Sequence, residues 1–333
     1  MNKVTIHVGL DYHDSVVQVC VLDAAGKVLV NQAAANQATY LDQLVRRHGD
    51  DIQAGIEACG GSAHLADELV ACGWCLSQAH PGYVKRLKQN PDKTDHSDAR
   101  LLADLVRVGY LPKVWLAPSA VRDLRKLVRY RRTLVRERTN IKLRIRAILR
   151  EERVRLTANP WTKAWVAEVR DTTALGDHAR WVIGQQLRRL EQLQQDIAAA
   201  EARLEETTAD DPYVKRLREC RGIGLITAVT LRAEIGRFDR FRSGKQLARF
   251  CALTPWNASS GPRQADAGLI AAGNRELRVV LIEAAQRLCR FDPRWRAFSL
   301  RMKAHGKPHN VIVVAVANRW MRGLYHQLCH LSV

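Results

Sequence analysis

No stretch of the chain holds the roughly 18 consecutive apolar residues that a membrane-crossing helix requires. The N-terminus also lacks the charged, apolar and small-residue order of a signal peptide, so a soluble intracellular protein is expected. Cysteines are few and scattered among apolar neighbours, which suits a reducing compartment; only Cys72 and Cys75 form a C-x-x-C. No second pair and no suitably spaced histidines complete a zinc site, and the two thiols read as buried around a helix end and the following strand. Acids are also scarce. The 34 Asp and Glu face 53 Lys and Arg, giving a net charge of +19 and a pI near 10. Such a balance points to nucleic acid before any small substrate, with an anionic membrane surface as the other polyanion.

What is present is enough for two domain-sized cores: 333 residues, 47% of them hydrophobic. From the start, Val4, Ile6, Val8 and Leu10 alternate with Thr5, His7, Gly9 and Asp11, a strand that ends in an acid. Strands over Val16 to Leu22 and Val28 to Asn31 follow, joined by a turn at Asp23-Ala24-Ala25-Gly26-Lys27. Then come a helix from Tyr40 to Arg47, strand Ile52 to Glu57, helix Ala63 to Ala71, strand Trp74 to Ala79, and a basic helical segment near Val84 to Lys88. This βββαβαβα order closes with a helix opening at Asp95.

That last helix carries two acids three residues apart, Asp95 and Asp98, on one face. Asp98 projects into the stripe of Leu101, Leu102, Leu105 and Val108, where an uncompensated charge costs several kcal/mol. Asp104 projects to the opposite side with Arg100 and reads as a solvated acid. Ligands of α/β sheets collect at the carboxyl ends of strands. Asp11, Glu57, Asp95 and Asp98 can therefore form one cluster that holds two divalent ions for phosphoryl transfer. An actin-like ATPase also opens with a hairpin after Gly-x-Asp, but it needs glycine-rich phosphate and adenosine loops further on, and the chain has none.

From Pro118 the composition changes. Between Arg122 and Arg155 stand 14 Lys/Arg against four acids, while Val121, Leu124, Val128, Val135, Ile141, Ile145 and Ile148 keep helical spacing. This is a basic amphipathic helix whose arginines, among them Arg129, Arg132 and Arg136, suit contact with nucleic-acid phosphates. A second long helix from His178 to Glu206 places Ile183, Leu190, Ile197 and Leu204 seven apart, with Leu193 and Ala200 between them and Gln186 as one polar d residue. That short coiled-coil pattern fits packing on the basic helix or on a second copy.

The last third contains Leu217-x-x-Cys220-Arg221-Gly222-Ile223-Gly224 followed by Thr227, Ala228 and Leu231. This is a helix-hairpin-helix pattern, in which Gly222 and Gly224 present backbone N–H groups to a phosphate. Phe238 and Phe241 lie among arginines between Arg237 and Arg242. Helices are expected from Leu277 to Arg290 and from Val311 to Leu328. Ser260, before Gly261-Pro262, is by residue type a turn former with no His and acid nearby. As a nucleophile toward phosphate it needs activation from a metal-bound group or from Arg263, Arg275 or Arg278.

Several of these strings together resemble one family, the bridge-RNA-guided DEDD transposases of the IS-one-ten insertion sequences. The matching residues are Gly9-Leu10-Asp11, Glu57-Ala58-Cys59-Gly60, Lys93-Thr94-Asp95 with Asp98-Ala99, Gly222-Ile223-Gly224, Leu253-Thr254-Pro255 and Ser260-Gly261. The resemblance implies a ribonuclease-H-like, resolvase-like α/β N-terminal domain (1–117) and a basic helix and coiled-coil segment (118–210). It also implies a mainly α C-terminal transposase domain (211–333) with a helix-hairpin-helix and a serine loop. The metal-binding and catalytic acids fall on Asp11, Glu57, Asp95 and Asp98, and the nucleophile on Ser260, with Ser259 beside it. Implied partners are Mg²⁺ or Mn²⁺, two double-stranded DNAs (element end and target), a noncoding guide RNA and further copies of the chain, in a prokaryotic cytoplasm at the nucleoid. The chain departs from the family pattern at Ala271-Ala272 before Gly273 and at Asn318-Arg319-Trp320. The alternatives are a resolvase-like, Mg²⁺-dependent endonuclease in which Ser260 is only a loop residue, and a non-catalytic nucleic-acid-binding protein.

Overall fold

The structure is a computed structural model that describes residues 4–88, 94–257 and 266–331. The chain divides between Ala117 and Pro118 into two compact units. The first is a mixed α/β unit and the second is almost entirely helical.

The first unit contains β1 (Thr5–Tyr12), β2 (Val16–Leu22), β3 (Val28–Ala35), α1 (Ala38–Arg46), β4 (Asp51–Glu57), α2 (Ser62–Ala71), β5 (Cys75–Ala79), α3 (Pro81–Leu87), α4 (Asp95–Arg107) and β6 (Lys113–Val114). The sheet order is β3-β2-β1-β4-β5-β6. The first three strands are antiparallel, β1, β4 and β5 run parallel, and β6 turns back. This arrangement is compatible with a ribonuclease-H-like fold.

Strand parity assigns the faces. Ile6, Val8 and Leu10 of β1 and Ile52, Ala54 and Ile56 of β4 pack against Leu41 and Val45 of α1 and Leu65 and Leu69 of α2. The alternate residues, Gly9, Asp11, Gly55 and Glu57 among them, therefore face the opposite layer, which is α4. Small residues let that helix approach closely: Ala99 and Ala103 lie against Cys20 and Leu22. Ala99 and Ala103 thus share the sheet-facing stripe with Leu102 and Leu105, whereas Leu101 is half-buried and Val108 is exposed at the helix end. Asp104, read as a solvated acid, is half-buried and paired with Arg107 (3.0 Å), one turn on. Cys72 ends α2 and Cys75 opens β5 with its side exposed, so that thiol is not a core residue.

The second unit contains α5 (Ser119–Glu151), α6 (Lys163–Asp171), α7 (Asp177–Thr207), α8 (Pro212–Glu219), α9 (Leu225–Ile235), α10 (Gly244–Phe250), β7 (Pro255–Asn257), β8 (Asp266–Leu269), α11 (Arg275–Phe291), α12 (Pro293–Ala304) and α13 (His309–Leu328). α5 is about 50 Å long at 1.5 Å per residue. Leu134, Ile141, Ile145 and Leu149 of its C-terminal half pack against Trp165 and Val169 of α6 and against Ile183, Leu187, Leu190, Leu193 and Ile197 of α7. The long helix α7 therefore covers the basic helix of its own chain. The buried positions are Leu134 and Leu149, with Val135 and Ile148 at the margin, and Leu187 takes the inward place beside Gln186. At its other half, Leu124 and Val128 of α5 join the main C-terminal core with Leu231, Phe238, Leu281, Val316 and Met321. Phe238 and Phe241 are core residues despite the arginines around them. No helix among the described residues is long and apolar enough to cross a membrane.

Candidate active site

The position of α4 brings acids to the sheet edge. Its Ala99 carbonyl lies over Gly9, and the two elements run in opposite directions from that contact. Four helical residues from Ala99 back to Asp95 climb about 6 Å, and two strand residues from Gly9 to Asp11 advance about 6.6 Å. Asp95 and Asp11 therefore arrive level. Between them stands His13, whose Nε2 lies 3.6 Å from an oxygen of each. Ligand atoms of Asp11, His13 and Asp95 all lie within 4.8 Å of one another, the only such group of three among the described residues.

β1 and β4 pair in register up to Leu10 and Ile56, so Asp11 and Glu57 are the next residues of neighbouring parallel strands. Glu57 stands at the same sheet edge but outside the Asp11, His13 and Asp95 group. Asp98 is mostly buried and accepts a hydrogen bond from Lys88 Nζ at 2.5 Å, the compensation that its place on the apolar stripe demands. Burial pushes the Asp11 carboxyl above its ordinary pKa; Asp98 and Asp95 add to that rise, and His13 and Lys88 oppose it.

Local sequence explains the helix start. Thr94 Oγ1 accepts from the Ser97 N–H and Ser97 Oγ lies back toward the Thr94 N–H, a capping box that fixes the turn bearing Asp95 and Asp98. Gln18 reaches His96 Nδ1 at 3.1 Å, and Asn31 donates to the His96 carbonyl at 3.1 Å, tying β2 and β3 to this turn. His13 was visible only as the residue two beyond Asp11, since i and i+2 share a strand face.

Ser259, Ser260 and Arg263 lie outside the described residues. The strands that flank this segment, β7 and β8, pair antiparallel. Beyond them, Ile270 donates to the Thr254 carbonyl (3.1 Å) and Asn274 N–H to the Phe250 carbonyl (2.9 Å). Arg275 is exposed in the first turn of α11. Gly222, at φ +85°, reverses the chain between α8 and α9, and Gly224 is the exposed N-cap of α9.

The three arginines of α5 differ in what they have left to offer. Arg129 makes two bonds to the buried Glu234 carboxylate at 2.9 and 3.0 Å, and Arg132 is ion-paired with Glu276. Arg136 is exposed and makes no ion pair among the described residues.

Two family models match the chain: "Transposase", the model of IS110 DEDD transposases, over residues 8–153, and "Transposase IS116/IS110/IS902 family" over 214–300. The transposase for insertion sequence element IS1111A of Coxiella burnetii is 26% identical over 85% of this chain and 77% of its own length. The Pseudomonas aeruginosa protein named "Probable family 20 transposase" is 29% identical over 81% of this chain and 82% of its own length. The transposase for insertion sequence element IS1328 of Yersinia enterocolitica is 24% identical over 69% of each chain. With the acid-bearing sheet edge in the first match and the helical core in the second, the chain belongs to the IS110 family of insertion-sequence DEDD transposases, enzymes that cut and rejoin DNA.

Proposed function

We propose that the chain transposes its element by serine-linked strand exchange, with Asp11, Glu57, Asp95 and Asp98 as ligands for Mg²⁺ or Mn²⁺ and Ser260 as the nucleophile. The observation that carries the metal half is the convergence of Asp11, His13 and Asp95 within 4.8 Å. Their oxygen-rich donor set suits a hard divalent ion, and a bound cation would offset the burial that, with the smaller contributions of Asp98 and Asp95, raises the proton affinity of Asp11. When bound, such ions neutralise the scissile phosphate and stabilise the departing oxygen.

The residues of the chain supply the rest. Asp98 is held by Lys88, a cation already at the site that balances its charge before any other ligand arrives. His13 bridges Asp11 and Asp95, and its nitrogen adds a donor that Mn²⁺ accepts more readily than Mg²⁺. Ser260 Oγ attacks phosphorus, forming a serine phosphodiester while the bond to the 3′ oxygen breaks and that oxygen leaves as a hydroxyl. The same hydroxyl type on the partner strand later reverses the step, so phosphoester energy is conserved and no ATP is required.

Two duplexes, the element end and the target, are joined by a homo-oligomer under direction of a noncoding RNA from the element. The α8–α9 turn supports a helix-hairpin-helix reading, with N–H groups near Gly222 and Gly224 turned to a DNA phosphate, and the seven-residue spacing on α7 supports a coiled-coil one. Arg136, Arg263 and Arg275 serve as further phosphate contacts, whereas Arg129 and Arg132 do so only in competition with Glu234 and Glu276. Asp95→Asn and Asp98→Asn are expected to abolish Mg²⁺-dependent strand cleavage with DNA binding retained. Full cleavage by either variant contradicts the assignment of that acid.

A further inference from the structure

Eight of the fourteen basic residues of the α5 region fall into two contrasting groups by what they touch. In the first half, Arg125 and Arg129 meet Glu234, Arg131 meets Glu201 at 2.6 Å, and Arg132 meets Glu276. These charges are spent on holding α5 to α7, α9 and α11. In the second half the pattern ends: Arg146, Arg150, Arg153 and Arg155 are all exposed, and none makes an ion pair or hydrogen bond with a side chain among the described residues.

Those four arginines line one groove of about 860 Å³ where α5 turns toward α6. Its floor is apolar, from Leu149, Leu156 and the buried Trp165. The acids nearby do not neutralise it. Glu151 and Glu152 belong to the turn but do not line the groove, and Glu168 is occupied by the Thr157 and Ala158 N–H groups at 2.8 and 2.9 Å. Those two bonds also hold the loop open as the outer wall.

The turn itself is built at a cost. Arg153 adopts φ +55°, the left-handed conformation that glycine takes cheaply at a helix end, and Val154 N–H closes on the Leu149 carbonyl at 2.8 Å. An arginine kept where glycine fits better is a strained residue at a charged, concave surface, and such strain concentrates at functional positions.

We infer that the groove at the α5–α6 turn, lined by Arg146, Arg150, Arg153 and Arg155, is a docking site for the phosphodiester backbone of duplex DNA. The four unpaired cations call for a polyanion; that it is duplex DNA rests on the proposed transposase function. The site is independent of the acids at the sheet edge and of Ser260. It moves the main DNA contact of the basic segment from Arg129 and Arg132 to the C-terminal end of α5 and the turn that follows it, where these four arginines are unpaired. The contact is with backbone, so it holds DNA of any sequence.

The test is binding of the full-length chain to a duplex of arbitrary sequence, by fluorescence anisotropy, across a salt series. Each phosphate contact adds about 0.9 to the slope of log K against log salt. Arg150→Gln/Arg155→Gln is expected to reduce that slope by about 2 and to weaken binding tenfold or more near physiological salt. The matching loss of charge on α7, Arg188→Gln/Arg189→Gln, is expected to leave the slope unchanged. Arg150→Lys/Arg155→Lys, which keeps the charge, is expected to restore it. An unchanged slope in the Gln variant, with the natural melting temperature, overturns the site. So does equal loss in the Lys variant, or loss confined to a structured RNA with duplex binding intact. Cleavage of DNA by the Gln variant at saturating protein separates failure of this site from failure of the transposase chemistry.

Discussion

Gly9→Ala is the most demanding perturbation of the acid-bearing edge, because it adds one methyl and changes no charge. A Cβ at Gly9 would stand 1.9 Å from the Ala99 carbonyl oxygen and 2.5 Å from the Ala103 nitrogen. Both are backbone atoms of α4, so no rotamer change relieves the clash. Ordinary contact begins near 3.4 Å, and α4 must therefore lift from the sheet by about 1.5 Å. Overpacking of a tight core costs about 1–3 kcal/mol, and the immovable neighbours here place the expected loss at the upper end. Function should suffer more than stability. Asp95 and Asp98 ride on the first turn of α4 while Asp11 stays on β1, and a misplacement of about 1 Å at a reacting centre can cost 100-fold in rate. Urea unfolding and Mg²⁺-dependent strand cleavage would be measured on Gly9→Ala and on Gly60→Ala, whose added Cβ meets nothing within 4 Å. A Gly9→Ala protein with natural stability and natural cleavage would refute the packing of α4 that brings the acids together.

Two other outcomes follow from the electrostatics. Burial, with Asp98 and Asp95, raises the Asp11 carboxyl above 3.8, so its contribution to stability is full below that value and is lost as pH climbs through the raised folded pKa. At pH 7 without divalent ions, Asp11→Asn should therefore melt a few degrees higher than the natural chain, and added Mg²⁺ should stabilise only the latter; an equal Mg²⁺ response in both would remove Asp11 from the ligand set. In the second unit, Glu234 is buried between Arg125, Arg129 and the Asn274 amide, which donates at 2.7 Å. Glu234→Ala removes the anion but leaves Arg129 able to turn to solvent, and should cost about 1–3 kcal/mol in denaturant unfolding, whereas a cost below about 0.5 kcal/mol would mean that the pairing is only superficial.

The sheet and its faces were legible because alternation is local: Ile6, Val8 and Leu10 against Gly9 and Asp11 state which side α4 must occupy. The opening of α4 was legible from two acids at a helix start. What α4 presents to the sheet was less so, because hydrophobic projection favours Leu101 and Val108, while close approach over Gly9 selects Ala99 and Ala103. Ion pairs were not legible at all. Arg129 and Glu234 are 105 residues apart, so nothing in the composition of α5 separates an arginine spent on the core from one left for phosphate. Lys88 and His13 were missed for a related reason: each matters through a partner brought to it by the fold, Asp98 in one case and Asp95 in the other.

The most direct measurement of the central claim is a search for protein covalently joined to DNA in cells that carry the complete element, comparing the natural chain with Ser260→Ala and Asp98→Ala. Serine-linked exchange predicts an adduct that survives denaturant in the natural chain and is absent from both variants. Cut DNA without any adduct, and at the same level in Ser260→Ala, would contradict it and leave an endonuclease in which the acids activate water.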